Sequence, residues 1–196
     1  LMVFAFAKKF NLSDEEIQRG FLKYKSIGIR QNLRKVAGRY IYMDSYNASV
    51  ESTLLTVKTL AELEITGKKI AVVGERKTAN EETYQINYNL GKELCKFNTI
   101  DEIIVIGEKN SDKQALYDGI INNISDKSKI SYYEDLGEVS DRLKYQTVPG
   151  DAILFKGRHQ LYLWCISDIA FGTSYTKSKA LSPLGLKKKL ISTSNY

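Results

Sequence analysis

Three short polar segments hold the residues of this 196-residue chain that could do chemistry. Asp44-Ser45-Tyr46-Asn47 follows the run Arg39-Tyr40-Ile41-Tyr42, Gly74-Glu75-Arg76-Lys77 follows Ile70-Ala71-Val72-Val73, and Lys156-Gly157-Arg158-His159 follows Ala152-Ile153-Leu154-Phe155. Each is a polar turn between a strand-like run and a helical pattern. In a parallel α/β sheet such turns gather on the carboxyl edge, where the ligand crevice opens. There they would set carboxylates and cations on one rim. Lysine as a point charge, arginine as a planar fork and the free N–H groups of a helix start all suit a phosphate or a carboxylate. A plainer reading stands beside this one: Asp, Ser and Asn are ordinary turn and cap residues, and basic side chains at strand ends are often merely solvated.

The elements that must position these turns follow from periodicity. Ser13-Asp14-Glu15-Glu16 has the form of a capping box, and Ile17, Phe21, Leu22 and Tyr24 follow at helical spacing, so a helix is expected over about 13–25. Residues 31–38 read as a polar stretch, leading to a short strand that ends at Met43. Beyond it, helices are expected over 49–63, 81–97, 112–124, 137–145 and 159–171, and strands over 69–73, 102–106, 129–133 and 151–155. The strands are almost wholly apolar, which places them inside a parallel sheet covered on both faces: a three-layer α/β domain with a mostly parallel sheet of about six strands. Trp164, Tyr162 and Phe171 read as packing residues of the last helix. Leu1 to Ala7 reads as the last turns of a helix that begins earlier.

Composition narrows the rest. A hydrophobic share of 43% and a charged share of 27% describe a globular chain, and no apolar run approaches the roughly 18 residues that cross a bilayer. Cys95 and Cys165 lie far apart in helical patterns, which suggests neither a disulfide nor a metal cluster and fits a reducing cytoplasm. The only histidine, His159, has no second histidine with which to build a metal site and reads as a loop or helix-start residue. The net charge of +6 is concentrated in Lys177, Lys179, Lys187, Lys188 and Lys189, so a solvated basic end explains it better than a nucleic-acid surface. Neither a G-x-G-x-x-G fingerprint nor a G-x-x-x-x-G-K-[ST] loop is present, so the chain lacks the means to hold a dinucleotide or triphosphate by itself.

Several motifs resemble one family. Asp44-Ser45-Tyr46-Asn47-Ala48 with Ser52, Lys69-Ile70-Ala71-Val72-Val73-Gly74-Glu75, Leu90-Gly91, and Gly150-Asp151-Ala152-Ile153-Leu154-Phe155-Lys156-Gly157 look like the Rossmann-like C-terminal domain of the Mur ligases. Within that family they lie nearest the members that add D-alanyl-D-alanine to a UDP-muramoyl-tripeptide. The resemblance implies residues 1–38 as the end of a central domain and a hinge, 39–173 as the C-terminal domain, and 174–196 as a basic tail. It further implies a cytoplasmic, ATP- and Mg2+-dependent amide-forming ligase of peptidoglycan synthesis, acting on a UDP-muramoyl-peptide and an amino acid or dipeptide. The phosphate loop and metal ligands would lie in a domain outside this chain, which would be inactive alone and hold no metal. No nucleic-acid or membrane partner is implied.

Carried over by position, the resemblance assigns Arg30, Asp44 and Asn47 to the nucleotide. Lys156, Gly157, Arg158, His159 and Glu75 fall to the incoming substrate. Departures from the family pattern are Met43 for the first acid of D-D-S-Y-N-A-N-P, Ser49-Val50 for its Asn-Pro, Asn87 at a histidine position, and Arg158-His159 for the Ser-Arg of K-G-S-R. They are expected to cluster in substrate-facing loops, and so to alter the amine substrate. An alternative of a different class is a divergent, non-catalytic module that keeps the fold and binds a nucleotide-sugar or a protein.

Overall fold

A computed structural model describes residues 2–24, 26, 28–74, 80–107 and 114–175. The apolar runs form the strands expected of them: β2 (Arg39–Asp44), β3 (Lys69–Gly74), β4 (Glu102–Ile106), β5 (Ile130–Tyr133) and β6 (Ala152–Lys156). A sixth strand, β1 (Asn32–Val36), lies where the sequence reads as a polar stretch, and it pairs antiparallel with β2. Ala37 and Gly38 both take positive φ, 47° and 79°, the signature of a two-residue hairpin turn that matches strand twist. β1 escapes a search for apolar runs because it is an edge strand with Leu33, Arg34 and Lys35 facing solvent.

The sheet order is β1-β2-β6-β3-β4-β5, and every pair except β1–β2 is parallel. Alternation along the strands divides the core in two. Ile41, Met43, Ile70, Val72, Ile104, Ile153 and Phe155 face α6 (Leu136–Gln146) and α7 (Leu163–Phe171). Ala71, Val73, Ile103, Val105, Ala152 and Leu154 face α3 (Val50–Ala61), α4 (Glu81–Leu94) and α5 (Ala115–Ile121). The chain leaves β2 and β3 toward the α3 face, whereas it leaves β6, which lies between them, toward the α7 face. Neighbouring strands whose continuations part to opposite faces open a crevice at their carboxyl ends.

Glycines set several close approaches. A methyl group on Gly91 of α4 would run into the Leu116 carbonyl, and one on Gly119 of α5 into the Tyr88 carbonyl, so these two helices cross with their backbones in contact. On the carboxyl edge, Gly74 and Gly157 leave the space that the Leu161 and Leu163 side chains fill. That filling breaks the single helix expected over 159–171. Residues His159–Leu161 form one 3-10 turn, Tyr162 adopts the left-handed conformation (φ 52°, ψ 34°), and α7 begins only at Leu163.

At the amino ends of the strands, Asp151 is buried and accepts backbone N–H groups of Lys68 and Val148, each at 2.8 Å. The Gly150-Asp151 pair is therefore a turn anchor on the edge opposite the crevice. At the start of the chain, α1 (Met2–Lys9) buries none of its residues. The expected capping box opens α2 (Asp14–Lys23): Ser13 Oγ accepts from Glu16 N–H, and the Glu16 carboxylate accepts from Ser13 N–H. After α7, Gly172 ends the helix in the left-handed region, and Asp168 Oδ1 accepts from the Thr173 hydroxyl and from Tyr175 N–H. Tyr175 is thereby seated in the α7-side core at 1% exposure, with the Arg34 guanidinium 4.8 Å from its ring centroid.

Candidate functional site

Asp44 closes β2 and Lys156 closes β6, and the two are partners in the parallel register. By the alternation just described both side chains turn toward α3. Lys156 Nζ lies 2.6 Å from Asp44 Oδ2 and also donates to the Asn47 carbonyl at 2.9 Å. Lys156 is 1% exposed and Asp44 8%. The second turn of α3 adds Thr56, whose hydroxyl lies 3.1 Å from Asp44 Oδ2 and 2.6 Å from the Ser52 carbonyl. Asp44 Oδ1 accepts the Gln31 N–H at 3.2 Å, which leaves that oxygen with further acceptor capacity. Two buried opposite charges are tolerable in such a place because each is paired and hydrogen-bonded. Burial also pushes the neighbouring Tyr42 phenol above its ordinary pKa, and the Asp44 charge pushes it further.

The segment before β1 is fastened to this pair on both sides of Arg30. The Ile29 carbonyl accepts from Ser45 N–H at 2.9 Å, and Gln31 N–H reaches Asp44. Gln31 has a positive φ of 42°, a conformation that a non-glycine residue holds only when its surroundings impose it. The Ser26 hydroxyl and the Asn32 amide bind the carbonyls of Arg30 and Gly28. Arg30 itself is exposed, and its guanidinium stacks 3.4 Å above the centroid of the Tyr46 ring. Asn47 is exposed as well, its Oδ1 accepting the Ala48 N–H. Ser49 caps α3 by accepting from Ser52 N–H.

The third turn joins the first through one backbone bond, His159 N–H to the Tyr46 carbonyl at 3.0 Å. The His159 ring sits among aromatics, with ring centroids 5.8 Å from Tyr46, 6.1 Å from Tyr162 and 4.8 Å from Trp164. Trp164 is completely buried, as expected of a packing residue. Arg158 is half-buried beside His159 in the chain.

Arg30, Asp44, Asn47, Lys156, Gly157 and His159, assigned from sequence to two different ligands, thus belong to one cluster at the β2–β6 crevice. Glu75 lies outside the described residues, as do Arg76 and Lys77. Among the described residues no group of three His, Cys, Asp or Glu could hold a metal ion. Sequence reasoning missed Thr56 and Gln31, and named Tyr46 only as part of its motif, with no role of its own. Thr56 carried a signal: it sits with Thr53 in the inward stripe 53, 56, 57, 60 of α3, and a hydroxyl buried there requires a partner. Two departures also lie elsewhere than expected. Met43 is 0% exposed in the α7-side core and Asn87 is 2% exposed in α4, so neither is a loop change.

A family model described as "Mur ligase, glutamate ligase domain" matches residues 30–159, well over half of the chain and the whole of this crevice. The chain belongs to that family. The UDP-N-acetylmuramoyl-tripeptide–D-alanyl-D-alanine ligase of Bacillus subtilis is 25% identical over 155 residues, which is 79% of this chain and 33% of that protein. The MurF ligase of Thermotoga maritima, solved in complex with ADP, superposes with a TM-score of 0.63 at 23% identity, over 84% of this chain and 35% of that one. MurF from Acinetobacter baumannii gives 0.67 at 22% identity, over 85% and 36%. These likenesses establish the three-layer α/β fold of a Mur ligase domain. The chain spans about a third of the length of the relatives it matches.

Proposed function

We propose that this Mur ligase domain is the carboxyl-terminal lid of an ATP-dependent ligase that joins a carboxylate to an amine in peptidoglycan precursor synthesis. The single observation that carries the reading is the crevice between β2 and β6, where exposed Arg30 and Asn47 stand over a buried Asp44–Lys156 pair within the family match. In this reading a central domain and hinge end before β1, the lid runs from β1 to Tyr175, which the sheet and core include, and the basic tail follows, so the boundaries expected at residues 38 and 173 move outward.

Arg30 meets the nucleotide's phosphates as a cation on a stacked, pre-set guanidinium. Asp44 Oδ1 accepts from a ribose hydroxyl, and Asn47 lines the same pocket. Gly157, Arg158 and His159 face the incoming amino acid or dipeptide, with Lys156 beneath them, and Glu75 is assigned to the same substrate. A phosphoryl group passes from ATP to the substrate carboxylate; the amine attacks the acyl phosphate, and phosphate leaves the tetrahedral intermediate. Closing the lid keeps water from the acyl phosphate. The ligands of Mg2+ lie in the domains outside this chain. The UDP-muramoyl-peptide is likewise held elsewhere, the protein works in the cytoplasm, and the isolated chain is inactive.

The test is ATP-dependent phosphate release by the full-length protein, with a UDP-muramoyl-peptide and a panel of amino acids and D,D-dipeptides. Release that requires one of these amines supports the reading. Its absence across the panel sinks it and favours a binding module of the same fold, a reading that the substituted Arg158-His159 turn supports. Arg30→Ala and Asp44→Ala should each weaken ATP use; unchanged kinetics for both would count against the assignments.

A further inference from the structure

Lys156 lies where a substrate-facing lysine is expected, yet its ammonium is wholly buried and already engaged by Asp44 Oδ2 and the Asn47 carbonyl. To reach a ligand it would have to abandon a buried carboxylate. Its two partners lead instead toward Arg30. Asp44 holds the residue after Arg30 through Gln31 N–H, and the next residue on β2's end, Ser45, holds the one before it through the Ile29 carbonyl. The Asn47 carbonyl belongs to the turn that carries Tyr46, the platform on which the Arg30 guanidinium lies. Backbone and side chain of Arg30 are therefore both referred to one ammonium group.

We propose that Lys156 is a positioning residue that fixes Arg30, through Asp44 below and through the 44–47 turn above, without touching a ligand itself. This rests on the reading that Arg30 meets the nucleotide. The strut spans β2, β6, α3 and the hinge, so the arginine's position is set by the sheet and the hinge segment inherits the sheet's rigidity. With the ammonium removed, the Asp44 carboxylate that accepts from Gln31 loses the charge that fixes it, and the 44–47 turn loses its bond at the Asn47 carbonyl, keeping those to the His159 N–H and the Ile29 carbonyl.

A double-mutant cycle on ADP affinity in the full-length protein tests this. Arg30→Ala and Lys156→Met are each expected to weaken ADP binding by roughly tenfold or more, the scale of a group misplaced by about 1 Å. The double variant should bind within about twofold of Arg30→Ala alone, because the lysine's effect passes through the arginine. Lys156→Gln, which keeps an N–H donor for the Asn47 carbonyl, should recover part of the loss, and the KM for the amine substrate should stay near its wild-type value. Additive losses, or a loss confined to the amine substrate's KM, overturn the proposal. Where Lys156→Met does not fold, Lys156→Gln carries the cycle: its smaller loss must vanish on the Arg30→Ala background.

If the wild-type protein binds no ADP, it is the ligase reading that fails, and the positioning role is then decided by NMR. The upfield ring-current shift of the Arg30 side-chain protons over Tyr46 should disappear in Lys156→Met and return in part in Lys156→Gln. An unchanged shift in Lys156→Met refutes the role of Lys156.

Discussion

Asp44 Oδ2 and Lys156 Nζ meet at 2.6 Å across adjacent parallel strands, although 112 residues separate them in the chain. The pair has an energetic consequence that can be measured. Removing one partner leaves the other as an uncompensated buried charge, so Asp44→Asn or Lys156→Met alone should cost roughly 3–5 kcal/mol of stability. Removing both leaves no orphan charge, and the double variant should cost less than the sum of the singles by about 1–3 kcal/mol. Urea unfolding of the four proteins measures the coupling; strict additivity would show that the charges do not depend on one another.

Tyr46 should separate binding from stability. The ring is 43% exposed, so Tyr46→Ala should change unfolding free energy by no more than about 1 kcal/mol. The same change removes the surface on which Arg30 lies and should weaken ADP binding in the full-length protein by roughly two- to fivefold, the scale of a lost exposed cation–π contact. Calorimetric titration beside thermal unfolding decides it; equal affinity in variant and wild type would remove the stack from the site.

The crossing of α4 and α5 should tolerate no side chain. Gly119→Ala sets a methyl group against the Tyr88 carbonyl of the facing helix, and Gly91→Ala sets one against the Leu116 carbonyl. Each should lower stability by about 1–3 kcal/mol despite the better helix propensity of alanine. A variant as stable as wild type in chemical denaturation would show that the helices can separate at no cost.

Tyr175 links the end of the described fold to alkaline pH. Burial pushes its phenol from 10.0 up to about 12, with the Arg34 charge opposing and Asp168 adding to the rise. The folded state therefore keeps the proton after the unfolded state has lost it. The stabilisation is fully present below pH about 10 and is lost as pH rises toward 12, up to roughly 3 kcal/mol for a shift of this size. Tyr175→Phe should flatten that part of the stability–pH curve. Because the Tyr175 hydroxyl is buried with no hydrogen-bond partner among the described residues, the variant should also be as stable as wild type or more so near neutrality. A marked loss of stability in Tyr175→Phe at pH 7 would show that the hydroxyl has a partner.

Periodicity revealed the central strands because they are buried on both faces and consist of little but Ile, Val, Leu, Ala and Phe. β1 was hidden for the opposite reason: an edge strand with Arg34 and Lys35 outward carries no apolar run. The single helix expected over 159–171 failed at Tyr162, where the space left by Gly74 and Gly157 at the ends of neighbouring strands dictates the backbone, and no local pattern reports that. The rim residues were legible as strand-end turns, and so was their common location. Their mutual pairing was not, since it depends on β6 lying between β2 and β3, a strand order that the succession of elements does not contain. The same limit applies to Met43 and Asn87, which look like site changes in a motif and prove to be core positions.

The strand order also bears on how the domain comes into being during synthesis. β2 and β3 emerge from the ribosome before β6, the last strand among the described residues, and the slot between them stays empty until β6 has been made. No partial chain can assemble the crevice, and α7, which follows β6, must dock later still. Nascent chains halted before residue 156 should therefore show protease-sensitive β2 and α3, with protection gained in a single late step. In this domain the piece that completes the sheet also brings the charge that completes the site.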